Sequence, residues 1–498
     1  MDKKRTIIVT MALLLSNAMS GLDNTIINTA LPRIIADLKG IEYMGWMVSV
    51  FLLGTAVATP LWSKLGERTS NKIAYQLAAL TFLLGALFQG MAPNMFILLL
   101  ARLLCGLGNG GMVSIPYIIY SDLYPNPAKR MRTLGLVSAF YSSATIMGPM
   151  LGGWIVDTLS WRWVFYLNIP VALISIILVQ IYFIDEKIER PKKKVDLGGA
   201  LTLTLGLIIM LIGVDLIGET QLGTLLVLFA AALIFFGMLI IIEKRAEDPV
   251  IPGHLFKNSD LNIDFALFVL IWAAMMAFSV YAPMWAQGLL ATSAFIGGAT
   301  QIPGAFTDLC ASLSVAKMRE HWSAGQVVLI GIGSLLIGYF LMMFGPITMP
   351  YFLIILAGMF QGVGNGIVFN ELQVKVQQDV EKKDVPVATS FSFLIRMIAS
   401  AVAASVFGLI MNAALFRGVR ESGGSITINM LNHLSDAETS KSLPQALLPQ
   451  MRQILYSGIH NIMIVATTLI VGSFIIGYYA RQKGDRKIVC VRMNYSLI

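Results

Sequence analysis

Residues 95–120 read MFILLLARLLCGLGNGGMVSIPYIIY, and a single charge, Arg102, interrupts them. A helix rising 1.5 Å per residue crosses a hydrocarbon core about 30 Å thick in roughly 20 residues, so this run spans a bilayer with length to spare. Its centre returns later in the chain. Cys105-Gly106-Leu107-Gly108-Asn109-Gly110 becomes Gln361-Gly362-Val363-Gly364-Asn365-Gly366 at an offset of 256, and the same offset relates Thr133 to Thr389 and Gly152 to Gly408. Two related halves built of membrane helices are therefore expected. Repeated halves are common in secondary transporters, whose substrate sites lie between the halves near the midplane.

The rest of the chain agrees. Hydrophobic residues make up 56% of the 498 and charged residues 13%, with a mean hydropathy of +0.74. A soluble domain carries about 25% charge, so a water-facing globule is excluded. The apolar runs are continuous rather than alternating, which favours helices over the strands of a barrel. An all-α membrane protein with fourteen helices is expected, near residues 6–30, 43–62, 73–92, 95–120, 133–156, 163–184, 197–217, 222–242, 262–287, 292–316, 325–344, 350–374, 386–412 and 458–480. With a cytoplasmic N-terminus, 27 of the 36 Lys and Arg fall on cytoplasmic segments, 7 fall outside, and Arg102 and Arg396 lie in the membrane. This is the positive-inside asymmetry, and it puts both termini in the cytoplasm. It also accounts for the net charge of +8 without nucleic acid as a partner.

A cytoplasmic linker with the basic run Arg190-Pro191-Lys192-Lys193-Lys194 follows the sixth helix. The expected division is a six-helix bundle over 1–184, linkers with two extra helices over 185–261, and a second six-helix bundle over 262–498. An outer loop over about 413–455 is polar. Cys105 and Cys310 fall in apolar segments and Cys490 in a basic tail, so no disulfide framework is implied. The apolar run from Thr6 is too long for a cleavable signal.

The intramembrane polar residues are the candidate sites, because charge there is costly and is kept for pairing or for function. Asp23 and Arg102 each lie seven residues from the outer ends of their helices, about 10 Å deep, within reach of pairing. Such a pair fits a static anchor between helices 1 and 4 or a site that loads and releases a proton. Asp308 shares a stripe with Gln301, Gly304 and Ser312 at i, i+3, i+7 and i+11, a face turned to protein or a water-filled path. It fits a protonation or cation site, or a structural pair with Arg396 at similar depth. Glu371 fits the same role or a plain i,i+4 pair with Lys375.

Ser16, Asn17, Ser20, Asn24 and Asn28 make a polar stripe that marks helix 1 as cavity-lining. Met275, Met276, Phe278, Tyr281, Met284 and Trp285 suit an adaptable pocket or ordinary packing. Gly106/Gly110, Gly148/Gly152 and Gly358/Gly362/Gly366 have the spacing of close helix contacts. Gly106, Gly108 and Gly111 match a dinucleotide fingerprint only by accident, since they sit inside a membrane helix. No P-loop, HExxH or nucleophile elbow is present. Asp23 and Asp308 fall in opposite leaflets, which defeats a shared acid pair, so neither an enzyme nor a cofactor or metal is expected. No repeating filter ring suggests a pore.

Four ordered motifs carry a resemblance. Helix 1 ends Leu22-Asp23-Asn24-Thr25-Ile26-Ile27-Asn28-Thr29-Ala30-Leu31-Pro32. Helix 4 carries Arg102 and the glycine run. Helix 5 carries Gly148-Pro149-Met150-Leu151-Gly152-Gly153, and Trp161-Arg162-Trp163-Val164-Phe165-Tyr166-Leu167-Asn168-Ile169-Pro170 follows. Across nearly its whole length the chain resembles the major facilitator superfamily, in particular its fourteen-helix drug:proton antiporter branch. The resemblance implies efflux of small amphipathic, often cationic compounds in exchange for protons, with the proton gradient as energy source. The chain is expected to be a monomer in the cell membrane that works by alternating access around a cavity lined by helices 1, 4, 9 and 12. Lys64, Gly66, Glu67 and Arg68 would form a cytoplasmic latch, and Gly148, Pro149, Gly152 and Gly153 the antiporter motif. The chain departs from the family pattern at Ser63, Glu67, Ser70 and Asn71 in the latch and at Cys105 after Arg102. A metabolite carrier and a non-transporting sensor on the same fold are the competing readings.

Overall fold

The computed structural model describes residues 3–124, 127–184, 197–217, 221–245, 253–381, 385–435 and 437–495. The basic linker at 190–194 lies outside the described residues. The elements are α1 (Lys3–Leu38), α2 (Met44–Arg68), α3 (Asn71–Met91), α4 (Met95–Leu123), α5 (Pro127–Thr158), α6 (Arg162–Tyr166) and α7 (Asn168–Tyr182). Then come α8 (Leu197–Asp215), α9 (Leu222–Glu243), α10 (Ser259–Met284), α11 (Ala294–Ala299), α12 (Ile302–Met318), α13 (Ala324–Met343) and α14 (Tyr351–Gln378). The last are α15 (Val385–Glu421), α16 (Ile428–Leu434), α17 (Ala437–Ser440) and α18 (Leu448–Tyr495). No strand occurs among the described residues. In hydrocarbon each backbone amide needs a partner, and a helix supplies all of them from within one segment.

Eleven helices among the described residues are long and apolar enough to cross a membrane. The protein is therefore a multi-pass membrane protein. Short polar residues start several of them. Ser70 accepts from the amides of Lys72 and Ile73, Asn94 from that of Ile97, and Ser323 with Gln326 closes a reciprocal cap on α13. These caps satisfy amide groups that would otherwise be orphaned at the helix ends.

The chain forms two compact units: one of Met1–Ile251, Ser279–Ile302 and Ala401–Ile459, the other of Pro252–Phe278, Pro303–Ser400 and His460–Ile498. In the first unit α4 packs between α2 and α3, and α1 packs along α5 and α7. Gly106 and Gly110 let α4 approach α2 closely: a Cβ on Gly110 would stand 2.7 Å from the Thr55 carbonyl oxygen. A second close approach joins α2 to α15, where a Cβ on Gly45 would stand 2.5 Å from the Ala404 carbonyl oxygen. The helices α8 and α9 pair with each other, and α8 also touches α2. Leu226, Val227, Leu233 and Ile234 of α9 are 61% to 70% exposed, an apolar surface suited to lipid. In the second unit α13 packs on α14, and Gly304 of α12 meets Gly358 of α14.

Two expected elements differ. The helix expected over 292–316 is broken into α11 and α12, because Pro303 has no amide to donate and the Thr300 amide turns back to Gly297. Gln301 falls at this break rather than on the helix of Asp308. The expected loop over 413–455 is mostly helical: α15 runs on to Glu421, and α16, α17 and the start of α18 occupy the rest. Leu431 and Leu434 anchor α16 by full burial, and Asn432 accepts from the Ile41 amide at 2.9 Å.

Candidate functional site

Asp23 on α1 is fully buried, and both of its oxygens are engaged. Arg102 Nη1 on α4 donates to Oδ2 at 2.9 Å, and Asn168 Nδ2 at the start of α7 donates to Oδ1 at 2.8 Å. Arg102 is itself 1% exposed; its Nε donates to the Met47 carbonyl and its guanidinium lies 4.1 Å from the centre of the Phe51 ring. Three helices thus meet on one carboxylate, and α2 is tied in through Arg102. Charge-assisted bonds of this kind are about twice as strong as neutral ones, and here they also spare Asp23 the cost of an unpaired charge. The sequence pointed to Arg102 as partner and missed Asn168, although an Asn inside the run Leu167-Asn168-Ile169-Pro170 was the available signal. The same motif holds α1 at a second point, because Trp161 Nε1 and Arg162 Nη1 both donate to Asp37, at 2.9 and 3.2 Å.

The internal repeat carries a pair of asparagines. In the first unit Ser20 Oγ donates to Asn109 Oδ1 at 2.6 Å, and Asn109 Nδ2 donates to Thr55 Oγ1 of α2 at 3.3 Å. Asn365 occupies the equivalent place on α14, and its Nδ2 donates to Asp308 Oδ2 of α12 at 3.1 Å. The glycine stripe repeats as well: Gly110 backs onto Thr55, and Gly366 backs onto Asp308. Asp308 therefore stands where the first half has a neutral threonine. Asp308 is half-buried, and among the described residues no Lys or Arg forms an ion pair with it. Asn365 Oδ1 is buried without a partner, so this amide uses only its donor end.

The alternatives considered for Arg396 and Glu371 are replaced by other contacts. Arg396 does not reach Asp308. Its Nε donates to the Ser392 carbonyl, and its guanidinium lies 4.9, 5.0, 4.8 and 5.9 Å from the ring centres of Phe268, Trp272, Phe369 and Phe393. Glu371 pairs with Arg319, 3.4 Å away just past α12, rather than with Lys375 on its own helix. Lys375 pairs instead with Asp264 of α10, a carboxylate that is fully buried. Asp264 gives little signal in the sequence because it stands next to the expected helix start, where a charge is ordinary.

The helix 1 stripe faces several ways. Ser20 contacts Asn109, Asn17 donates to the Leu13 carbonyl on its own helix, and Asn28 donates to Ser279 Oγ of α10 at 2.8 Å. The side chain of Asn24 lies outside the described ones, as do those of Lys64, Glu67 and Arg68. On α10 Met275 is half-buried and Tyr281 is fully buried, and Trp285, just past the end of α10, is fully buried too; Tyr281 and Trp285 make edge contacts to Phe407 and Tyr456. Gln301 is half-buried beside Thr300. Gly66 backs onto Asn71, where a Cβ would stand 2.7 Å from Oδ1. In α5, Gly148 and Gly152 receive α1, and Gly153 receives the start of α11. The adjoining Asp157 accepts from the amides of Ala294 and Phe295 at 3.1 and 2.8 Å. A cavity of about 330 Å³ beside Asp157, lined also by Glu438, Lys441 and Arg452, contains none of the residues singled out by sequence.

The family model for the Major Facilitator Superfamily matches residues 13–404. Multidrug resistance protein 3 of Bacillus subtilis (strain 168) is 28% identical over 480 residues, 93% of this chain and 93% of its own. The multidrug transporter protein MdtP of the same strain is 29% identical over 459 residues, 90% of this chain and 82% of its own. The multidrug efflux pump SdrM of Staphylococcus aureus (strain N315) is 27% identical over 410 residues, 81% of this chain and 89% of its own. Among solved structures, a bacterial homolog to the human lysosomal transporter Spinster superposes with a TM-score of 0.68 over 97% of this chain and 98% of that one, at 14% identity. An auto-inhibited POT family peptide transporter gives 0.66 over 95% and 96%, also at 14% identity. At these identities the likeness is one of fold.

Proposed function

The chain belongs to the major facilitator superfamily, is a membrane transporter and not an enzyme, and on that premise we propose that it is a proton-coupled multidrug efflux antiporter. Its substrates on this reading are small amphipathic compounds, many of them cationic, exported from the cytoplasm across the cell membrane. The relatives named as multidrug pumps support the substrate class. The proton part rests on one observation, the different surroundings of two intramembrane carboxylates.

Asp23 is held by a guanidinium and an amide with no exposure, and a carboxylate so engaged resists any exchange of partner. It serves as the anchor that fastens α1 to α4 and α7. Among the described residues Asp308 has an amide and a hydroxyl as partners, neither of them charged, and it sits at the place where the repeat has Thr55. It is free to gain and lose a proton without breaking an ion pair. A site that holds either a proton or a cationic substrate, but not both, makes their fluxes exchange. The paired Glu371 is assigned to structure on the same ground.

Alternating access then follows from the two repeated halves, taken as residues 1–184 and 262–498, with 185–261 contributing two further helices. The polypeptide would cross the bilayer fourteen times, with α5, α8 and α12 added to the eleven spans above and both ends in the cytoplasm. The segment Lys64–Arg68 would latch one state on the cytoplasmic side.

Proton release from acid-loaded everted vesicles, challenged with lipophilic cations and neutral drugs, tests this reading against Asp308→Asn at matched expression. Drug-triggered release in the wild type and its loss in the variant are expected. Release that survives in Asp308→Asn refutes the assignment of the site. Substrate flux that persists after the gradient is collapsed, with no proton release, refutes antiport and favours a metabolite carrier.

A further inference from the structure

The function proposed above gives Arg396 no task, yet among the described residues it is the charge with the most aromatic rings around it. Phe268 and Trp272 come from α10, Phe369 from α14 and Phe393 from α15, and all four ring centres lie within 6 Å of the guanidinium carbon. The faces of such rings carry negative potential, and they attract a cation most strongly where water is excluded. Phe268 is fully buried, whereas Trp272, Phe369 and Phe393 are only half-buried, so the cluster keeps ring surface that a ligand can reach. Met275 and Met276, three and four residues beyond Trp272 on the same side of α10, are half-buried too and extend it with adaptable apolar surface.

We propose that this four-ring cluster is a binding site for lipophilic cations and that Arg396 is its tethered occupant, displaced when such a cation enters. Surroundings that hold a guanidinium within a membrane helix suit an exogenous delocalised cation for the same physical reason. A phosphonium or quaternary ammonium ion sheds water more readily than an ammonium and matches ring faces better. Arg396, being on the same chain, competes at an effective concentration on the order of millimolar, which sets a floor on how tightly a free cation must bind. The tether would also expel the cation once its outward path opens, by reoccupying the rings. The inference rests on the cation-export reading, and it goes further by naming the cation site and its gate.

The test is equilibrium binding of tetraphenylphosphonium to the purified full chain in detergent, with tetraphenylborate as the anion of the same shape. Arg396→Gln should tighten tetraphenylphosphonium at least tenfold and leave tetraphenylborate no tighter. Adding Phe369→Ala to that variant should remove most of the gain. Arg396→Lys, whose ammonium is more strongly hydrated and fits ring faces less well, should give an intermediate gain and serves if the Gln variant does not fold. Affinity that is unchanged or weaker in both Arg396 variants, or a gain that survives Phe369→Ala, overturns the proposal while wild-type binding leaves cation export standing. If no form of the protein binds tetraphenylphosphonium, both this site and cationic export fall together.

Discussion

Replacing Asp23 separates an anchor from a coupling residue. In the folded protein the carboxylate is fully buried, Arg102 is 1% exposed, and the two are 2.9 Å apart. Removing one member of a buried ion pair costs about 3–5 kcal/mol, because the remaining charge stays desolvated. Asp23→Leu should therefore lower the unfolding free energy by about 4 kcal/mol, near the middle of that range. Asp23→Asn keeps a carbonyl that can accept from Arg102 or Asn168, so a smaller loss of about 2 kcal/mol is expected, set by one charged hydrogen bond. The double variant Asp23→Leu/Arg102→Met removes both charges, and most of the stability should return, as it does when buried pairs become apolar. Equilibrium unfolding in mixed micelles, read alongside transport, measures all three. If Asp23→Asn unfolds within 0.5 kcal/mol of the wild type, about the size of an ordinary surface change, while proton exchange is abolished, Asp23 acts in coupling and the anchor argument fails.

Three more outcomes follow from particular contacts. Lys375→Met should destabilise the protein by about 3 kcal/mol by stranding Asp264, and Lys375→Met/Asp264→Leu should recover most of it in the same assay; no recovery would refute the pairing. Gly362→Leu should abolish monodisperse expression, since α12 backs onto that glycine through Gly304, whereas Gly237→Leu, with open space around it, should elute like the wild type. Equal behaviour of the two on size-exclusion chromatography would contradict the packing. Lys441 holds the Glu438 carboxyl below the usual carboxylate range, so what the pair contributes is present above that range and lost as pH falls through the lowered value. Both side chains are more than two-thirds exposed, so Glu438→Gln should unfold like the wild type at pH 7, and a clear loss would show that the pair is not screened by solvent.

The fold was legible wherever one physical constraint ruled the sequence. Lipid demands unbroken apolar helices, so the spans around α2, α3, α4, α13 and α14 stood out by composition alone. The glycine stripes on α4 and α14 were visible because helical spacing is local. What escaped was governed by distant partners. A break such as that between α11 and α12 depends on where the Thr300 amide turns, and α16 is helical because Leu431 and Leu434 find a core to enter. The candidate site divides in the same way. Asp23 and Arg102 announced themselves as charges in apolar runs. Asn168 and Asn365 did not, since a neutral amide costs less to bury than a charge and is a weaker signal. Asp264 was hidden by its position, because only the folded chain tells a helix-end charge in water from one packed under a neighbouring helix.

The two-sided grip on Asp23 also bears on how the chain is made. Asp23 leaves the ribosome 79 residues before Arg102 and 145 before Asn168. At about 5–20 residues per second, synthesis takes roughly 4–16 s to deliver the arginine and 7–29 s to deliver the amide. An uncompensated Asp near the centre of a helix costs about 2.5–3.5 kcal/mol to pass into lipid. The first helix must therefore wait at a wet, protein-lined exit, or enter with its carboxyl neutralised by a proton, until α4 emerges. Assembly around Asp23 is in this sense ordered by charge: α1 is translated before both of its partners and settles only after they arrive.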